Sequence, residues 1–309
     1  MSTFLFTHPA CLEHDTGDLH PERADRIRAI MATLEAEEFS PLVRQEAPRA
    51  TMEHLLRAHS QHHIDTVLDS VPGRGHHSLD PDTILSPGSG EAALRCAGAG
   101  VAAVDAVASG RARNAFCAVR PPGHHAGRDS AMGFCLFSNA AIAALHARAV
   151  HGFERVAVVD VDVHHGNGTQ EVLWRENGTL YVSTHQEHSY PNTGSPEETG
   201  DGCVVVNLPL HAGCGSEDYR LAFTDMVLPR LRAFEPDFLI VSAGFDAHAA
   251  DPLAHLRLKT GDFGWIARHL CDVASETAEN RIVSILEGGY DLGALAASVA
   301  DHVRALLER

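Results

Sequence analysis

Val156-Ala157-Val158-Val159-Asp160-Val161-Asp162-Val163-His164-His165-Gly166 is an apolar, β-branched run that becomes acidic and then basic at its end. In a strand, residues two apart share a face, so Asp160, Asp162 and His164 are expected to project together. A run this apolar belongs to a strand buried on both faces. Two carboxylates on one face of such a strand are costly unless a cation compensates them. A solvated acidic strand end is the alternative, and the apolar residues before it argue against that. Gly166-Asn167-Gly168 then breaks the pattern, so the acidic end is expected where a strand meets a loop. Ligands bind at that edge of an open α/β sheet. The stretch reads as a metal site.

Working outward, β-type runs alternate with helical stretches. Candidate strands are 4–6, 42–45, 115–119, 156–161, 180–184, 204–208, 238–242 and 282–286. Candidate helices are 21–37, 90–109, 139–151, 216–232, 261–278 and 292–307. This alternation predicts a largely parallel sheet with helices on both faces. There is no internal repeat or convincing linker, so one catalytic domain over 1–309 is expected. Long irregular segments at 71–90, 120–138, 186–202 and 243–259 mostly follow strands, as loops around an active site should.

The formal charge is −17, from 24 Lys and Arg against 41 Asp and Glu. That argues against a general nucleic-acid binder and suits a cationic substrate or partner. The seven cysteines are scattered and never spaced Cys-x-x-Cys, which reads as reduced cytosolic cysteine without a zinc knuckle. No run approaches the roughly 18 apolar residues of a membrane span, and the first dozen residues lack the basic region of a signal peptide. A cytoplasmic protein is expected.

Four His-His pairs occur, and His62-His63 and His76-His77 read as surface residues. His124-His125 sits in Arg120-Pro121-Pro122-Gly123-His124-His125-Ala126-Gly127 immediately after a strand. Proline restricts that loop and glycine permits close approach, so it is suited to hold two imidazoles in place. Another carboxylate, Asp246, follows the strand before Ala243-Gly244-Phe245. Asp162, His164 and Asp246 would supply three protein ligands and leave a position open, the count of a catalytic metal site. Zinc is the expected ion, with Fe(II) or Co(II) also compatible with oxygen-rich ligation. Leu286-Glu287-Gly288-Gly289-Tyr290-Asp291 places a tyrosine on a glycine-softened turn after the last strand.

Taken in order, His20-Pro21-Glu22-Arg23, RPPGHHAG, GFCLFSNAAIAA, VDVDVHHGNGTQ, SAGFDAHAADPL and EGGYD resemble the zinc-dependent histone deacetylase family and its acetylpolyamine amidohydrolase relatives. The resemblance implies the arginase/deacetylase α/β fold, with a mainly parallel eight-stranded sheet. It implies Asp162, His164 and Asp246 as zinc ligands, His124 and His125 as tandem catalytic histidines, and Tyr290 as the oxyanion-binding tyrosine. Asp160 falls where a carboxylate pairs with the first histidine and helps hold a structural potassium ion. The other implied potassium contacts are oxygens of Asp162, His164, Ser183 and Thr184. Asn167 falls at the second histidine's partner, asparagine there being characteristic of the class II-like branch. Ala24, where many relatives have proline, is a departure without catalytic consequence.

The implied reaction is hydrolysis of an N-acetyl amide to a free amine and acetate. Gly133, Phe134 and Tyr190 fall on the walls of a narrow apolar tunnel, with Cys135 packed beneath. Leu253 falls where polyamine-selective relatives carry a glutamate, which favours acetyl-lysine in proteins or peptides over acetylpolyamines or other small acyl-amines. A catalytically silent acetyl-lysine binding module would have lost a ligand, a tandem histidine or the tyrosine. An arginase-like hydrolase would carry two manganese ions on additional carboxylates and histidines.

Overall fold

The computed structural model describes residues 2–309. Eight strands form one sheet: β1 (Ser2–Thr7), β2 (Val43–Glu46), β5 (Ala112–Cys117), β6 (Val156–Asp160), β7 (Thr179–Gln186), β8 (Val204–Leu210), β9 (Phe238–Ala243) and β10 (Ile282–Leu286). A separate short antiparallel pair, β3 (His77–Ser78) and β4 (Ile84–Leu85), lies in the segment read as irregular from sequence. The sheet order is β2-β1-β5-β10-β9-β6-β7-β8, and every pairing is parallel. All eight strands fall where the apolar runs predict them.

Every residue of β6, β7, β9 and β10 is buried, so helices must cover both faces, and their sequences are accordingly apolar at consecutive positions. Edge strand β2, Val-Arg-Gln-Glu, instead alternates between partly buried and exposed residues. Helix Ser89–Ala108 packs on β1, β5 and β10 beside helix Asn139–His151, and helix Leu292–Leu307 packs on β1 and β5.

Several helices depart from the sequence reading. The helix expected over 21–37 spans only Asp25–Thr33, because Glu22 is drawn inward to pair with Arg26 and Arg120. The helix expected over 216–232 runs as Ser216–Ala222, a π-helical turn Phe223–Val227 and then Leu228–Phe234. Pro229 has no N–H to return to residue 225, and the wider turn accommodates that loss. The break expected at Gly166-Asn167-Gly168 is the start of helix Asn167–Leu173. A Cβ at Gly168 would lie 2.3 Å from the Ala126 carbonyl oxygen, so glycine here serves close approach to the tandem-histidine loop rather than a break. His63 is buried, not at the surface, with Nε2 bonded to the Leu136 carbonyl at 2.9 Å, while His62, His76 and His77 are exposed.

Candidate active site

Four adjacent strands, β5, β10, β9 and β6, end at one edge of the sheet, and each hands over to a loop bearing polar residues. The strand carrying Asp160 stops there, so Asp162 and His164 lie beyond it and do not continue a shared strand face. Side chains replace the ladder. The Asp162 N–H donates to Asp160 Oδ1 (3.2 Å), the His164 N–H to Asp162 Oδ1 (2.9 Å) and the Val163 N–H to Asp246 Oδ1 (2.9 Å). The carboxylates thus shape the turn that presents them.

Asp162, His164 and Asp246 are all buried, and their donor atoms lie within 4.8 Å of one another. His164 Nδ1 is 3.1 Å from Asp162 Oδ1 and 3.3 Å from Asp246 Oδ2. Burial opposes charge on His164, yet the two carboxylates raise its pKa to about 10. Burial and the neighbouring Asp162 push Asp246 upward, and its Oδ2 has no hydrogen-bond partner. A buried cluster of two carboxylates and one imidazole that retains a proton this strongly, with one carboxylate oxygen orphaned, is a place where a cation fits. The donor chemistry, one nitrogen and carboxylate oxygens, suits zinc.

His124 and His125 stand side by side, their rings 4.0 Å apart. His124 Nδ1 donates to Asp160 Oδ2 (3.1 Å), which also accepts the Tyr181 hydroxyl (3.1 Å). Burial would discharge His124, but Asp162 and Asp160 overcome it and hold the ring's pKa well above the usual imidazole value. His125 moves the other way: burial, with cationic His124 and His164 nearby, holds it well below. Its Nδ1 donates to Asn167 Oδ1 at 2.8 Å, which leaves Nε2 as the basic nitrogen. Two neighbouring histidines pushed in opposite directions are suited to different roles.

A cavity of about 220 Å³ reaches this cluster, lined by Asp82, His125, Gly133, Phe134, His164, Tyr190, Leu253 and Tyr290. Gly133, Phe134, Tyr190 and Leu253 therefore share one wall system with the catalytic candidates. The Tyr190 ring stands perpendicular to His125 at 5.0 Å, and Phe134 meets Tyr290 edge-on at 5.8 Å. Gly133 has φ +55°, and a Cβ there would lie 2.4 Å from His125 Cδ2. Cys135 is buried below, its thiol donating to the Gly133 carbonyl (3.3 Å) and its sulfur accepting the His125 N–H (3.4 Å). Asp160 pairs with Ser183 across β6 and β7, and the Thr184 hydroxyl meets the Asp160 carbonyl at 3.5 Å. A larger open groove of about 740 Å³, lined by Arg128, Trp174 and Glu171 among others, lies beyond Asn167 and holds no such cluster of donors.

Three contributors were not singled out from sequence. The buried Glu287 accepts from the Gly123 N–H (2.6 Å), the His124 N–H (3.1 Å) and the Ser242 hydroxyl (3.1 Å), so it fixes the backbone of the tandem-histidine loop. Arg26 donates to the Gly289 carbonyl at 2.7 Å and lies 4.9 Å over the Tyr290 ring, and Glu22 anchors it at 3.1 Å. Asp82 holds the Gly133 N–H at 3.2 Å. Glu287 and Glu22 stand inside quoted motifs, but nothing in their spacing shows which backbone they hold.

The profile described as "Histone deacetylase domain" matches residues 20–306. The chain belongs to the histone deacetylase family. It is 37% identical to Histone deacetylase 14, chloroplastic, of Arabidopsis thaliana, over 98% of this chain and 76% of that protein. It is 38% identical to the Histone deacetylase-like amidohydrolase of Pseudomonas aeruginosa, over 94% of this chain and 81% of that one. A crystal structure of an HDA15 HD domain superposes with a TM-score of 0.94 at 38% identity, covering 100% of this chain and 88% of that chain. The fold is thus that of the histone deacetylases, the arginase/deacetylase architecture, and the chain is a hydrolase acting on acetylated amides. No described helix is long and apolar enough to cross a membrane.

Proposed function

We propose that this histone deacetylase-family chain is a zinc-dependent enzyme that removes the acetyl group from acetyl-lysine side chains of proteins or peptides. It would act as one catalytic domain, in the cytoplasm, where seven unpaired cysteines are in keeping with a reducing compartment. The observation that carries the reading is the apolar-walled cavity, which ends between His125, His164 and Tyr290 with Leu253 at its lining. On this reading a methylene stem would lie along the cavity that Phe134 and Tyr190 line, with the amide at its polar floor.

Asp162, His164 and Asp246 would hold the zinc ion, and Asp160, Asp162, His164, Ser183 and Thr184 a structural potassium. When bound there, zinc polarises the acetyl carbonyl and lowers the pKa of a water toward ~7. His125, neutral and with Nε2 free, takes the proton from the attacking water and delivers it to the departing amine. His124, paired with Asp160, stays cationic and stabilises the developing negative charge. Tyr290, its phenol kept protonated by burial, donates to the tetrahedral oxyanion. Glu287 and Arg26 keep the histidine loop and the tyrosine turn in place.

A second substrate class, acetylpolyamines, is favoured by one observation: the Asp82 carboxylate lines the same cavity. Its bonds to the Gly133 N–H and the Thr83 hydroxyl already occupy it, so acetyl-lysine is preferred. The test compares acetyl-lysine peptide with acetylspermidine on zinc-loaded wild type and Leu253→Glu. The wild type should favour the peptide, and the variant should shift the kcat/KM ratio toward the polyamine. A wild type that prefers acetylspermidine would overturn the substrate assignment, and turnover of neither amide would overturn the deacetylase reading.

A further inference from the structure

Away from the active site, two helices bring a second set of metal-binding side chains together. Asp105 lies near the end of helix Ser89–Ala108, and His146 and His151 lie on helix Asn139–His151. His146 Nε2 and His151 Nε2 each stand 2.7 Å from the same oxygen, Asp105 Oδ1, and the three donor atoms lie within 4.8 Å of one another. We propose that Asp105, His146 and His151 form a second divalent-cation site, for zinc or a similar borderline ion, that ties these two helices together.

The arrangement has the parts such a site needs. Two imidazole nitrogens and a carboxylate oxygen form a donor set suited to Zn²⁺, Co²⁺ or Ni²⁺. Burial is graded across it, with side-chain exposures of 4% for His146, 23% for His151 and 42% for Asp105. One side is therefore closed by protein and the other is open to solvent, leaving room for water as a further ligand. His146 Nδ1 is buried without a partner, so the ring's Nε2 contact is its only polar tether.

The present separations are those of hydrogen bonds. Metal–ligand bonds of about 2.0–2.1 Å would set neighbouring donors roughly 3.3 Å apart, so each histidine–aspartate pair, now at 2.7 Å, must open by about half an ångström. His151 is the last residue of its helix, followed by left-handed Gly152, and Asp105 is partly exposed, so both can give by that amount. The His54 ring lies 5.2 Å from His146, and the Thr51 N–H occupies its Nδ1, which leaves Nε2 as a further nitrogen at the rim. Arg57 is the nearby cation that would oppose binding, and its bond to Glu53 at 2.7 Å offsets that charge. None of the three proposed ligands belongs to the Asp162–His164–Asp246 cluster, so the two sites can be emptied separately.

The test is calorimetric titration of metal-stripped protein with Zn²⁺, with bound metal counted after dialysis. Wild type should take up two equivalents. His151→Ala and Asp105→Asn should each take up one, with deacetylase turnover unchanged. Asp246→Ala should also take up one, with turnover lost. The melting temperature of wild type should rise further at the second equivalent, and that increment should be missing in His151→Ala. A single equivalent in wild type, or a second equivalent that survives both His151→Ala and Asp105→Asn, would overturn the proposal while leaving the active-site assignment untouched.

Discussion

Replacing Gly133 by alanine tests whether the tunnel wall positions the base. The residue has φ +55°, a region that costs an L-residue about 1–2 kcal/mol. The added Cβ would lie 2.4 Å from His125 Cδ2, 2.8 Å from its Cγ and 3.0 Å from Tyr190 Cε1. Ordinary contact begins near 3.4 Å, so the His125 ring must retreat by about 1 Å, a displacement that can cost on the order of 10²-fold in rate. That retreat strains the 2.8 Å bond to Asn167, while the Asp162–His164–Asp246 cluster is not touched. The expected variant binds metal stoichiometrically, loses about 1–2 kcal/mol of stability in urea unfolding and loses roughly 10²-fold in kcat. Steady-state kinetics with metal analysis measures both. Turnover within threefold of wild type would refute the idea that Gly133 sets the position of His125.

Tyr290→Phe should keep its metal and substrate affinity and lose at least about two orders of magnitude in turnover, the usual loss for one oxyanion donor; near-normal kcat would remove the tyrosine from that role. Asn167→Asp would place a carboxylate 2.8 Å from His125 Nδ1 and raise a pKa that burial now holds low. Because the base must be neutral, the acidic limb of the kcat/KM profile should move to higher pH; a limb that stays put or moves down contradicts the pairing. Buried His302, its pKa lowered by burial from 6.5 to about 4, binds fewer protons folded than unfolded. Its stability contribution is complete above pH 6.5 and is lost as pH falls from there toward 4. Urea unfolding at pH 7 and pH 5 should show wild type losing about 2 kcal/mol more than His302→Gln, and equal losses would refute the assignment.

The sheet was legible because its central strands are buried on both faces and leave continuous apolar runs such as Phe238–Ala243 and Ile282–Leu286. The site residues were legible as motifs following those runs. What sequence reading missed has two physical sources. Asp162 and His164 sit beyond a strand that stops at Asp160, because carboxylates take over the ladder's hydrogen bonds, and periodicity carries no sign of that. Glycine is equally ambiguous: Gly168 looks like a break but lies inside a helix pressed against the histidine loop. The buried supports, Glu287 and Arg26, act on backbone carbonyls and N–H groups, which every residue has, so their targets leave no mark in composition.

The strand order also bears on how the protein is made. The strands that flank the site, β5 and β6, follow one another in the chain but do not pair; β10 and β9 stand between them. A ribosome-bound chain stopped before Ile282 can therefore pair β1 with β2 and β5, and β6 with β7, β8 and β9, yet cannot join the two groups. Each fragment then presents an unpaired apolar inner edge, the kind of surface that recruits other strands. The last strand synthesised is the one that joins the halves, and the residues that meet in the active site come from both of them. Nascent chains should thus depend on holdase protection until β10 emerges, and activity should appear only after that insertion rather than grow with chain length.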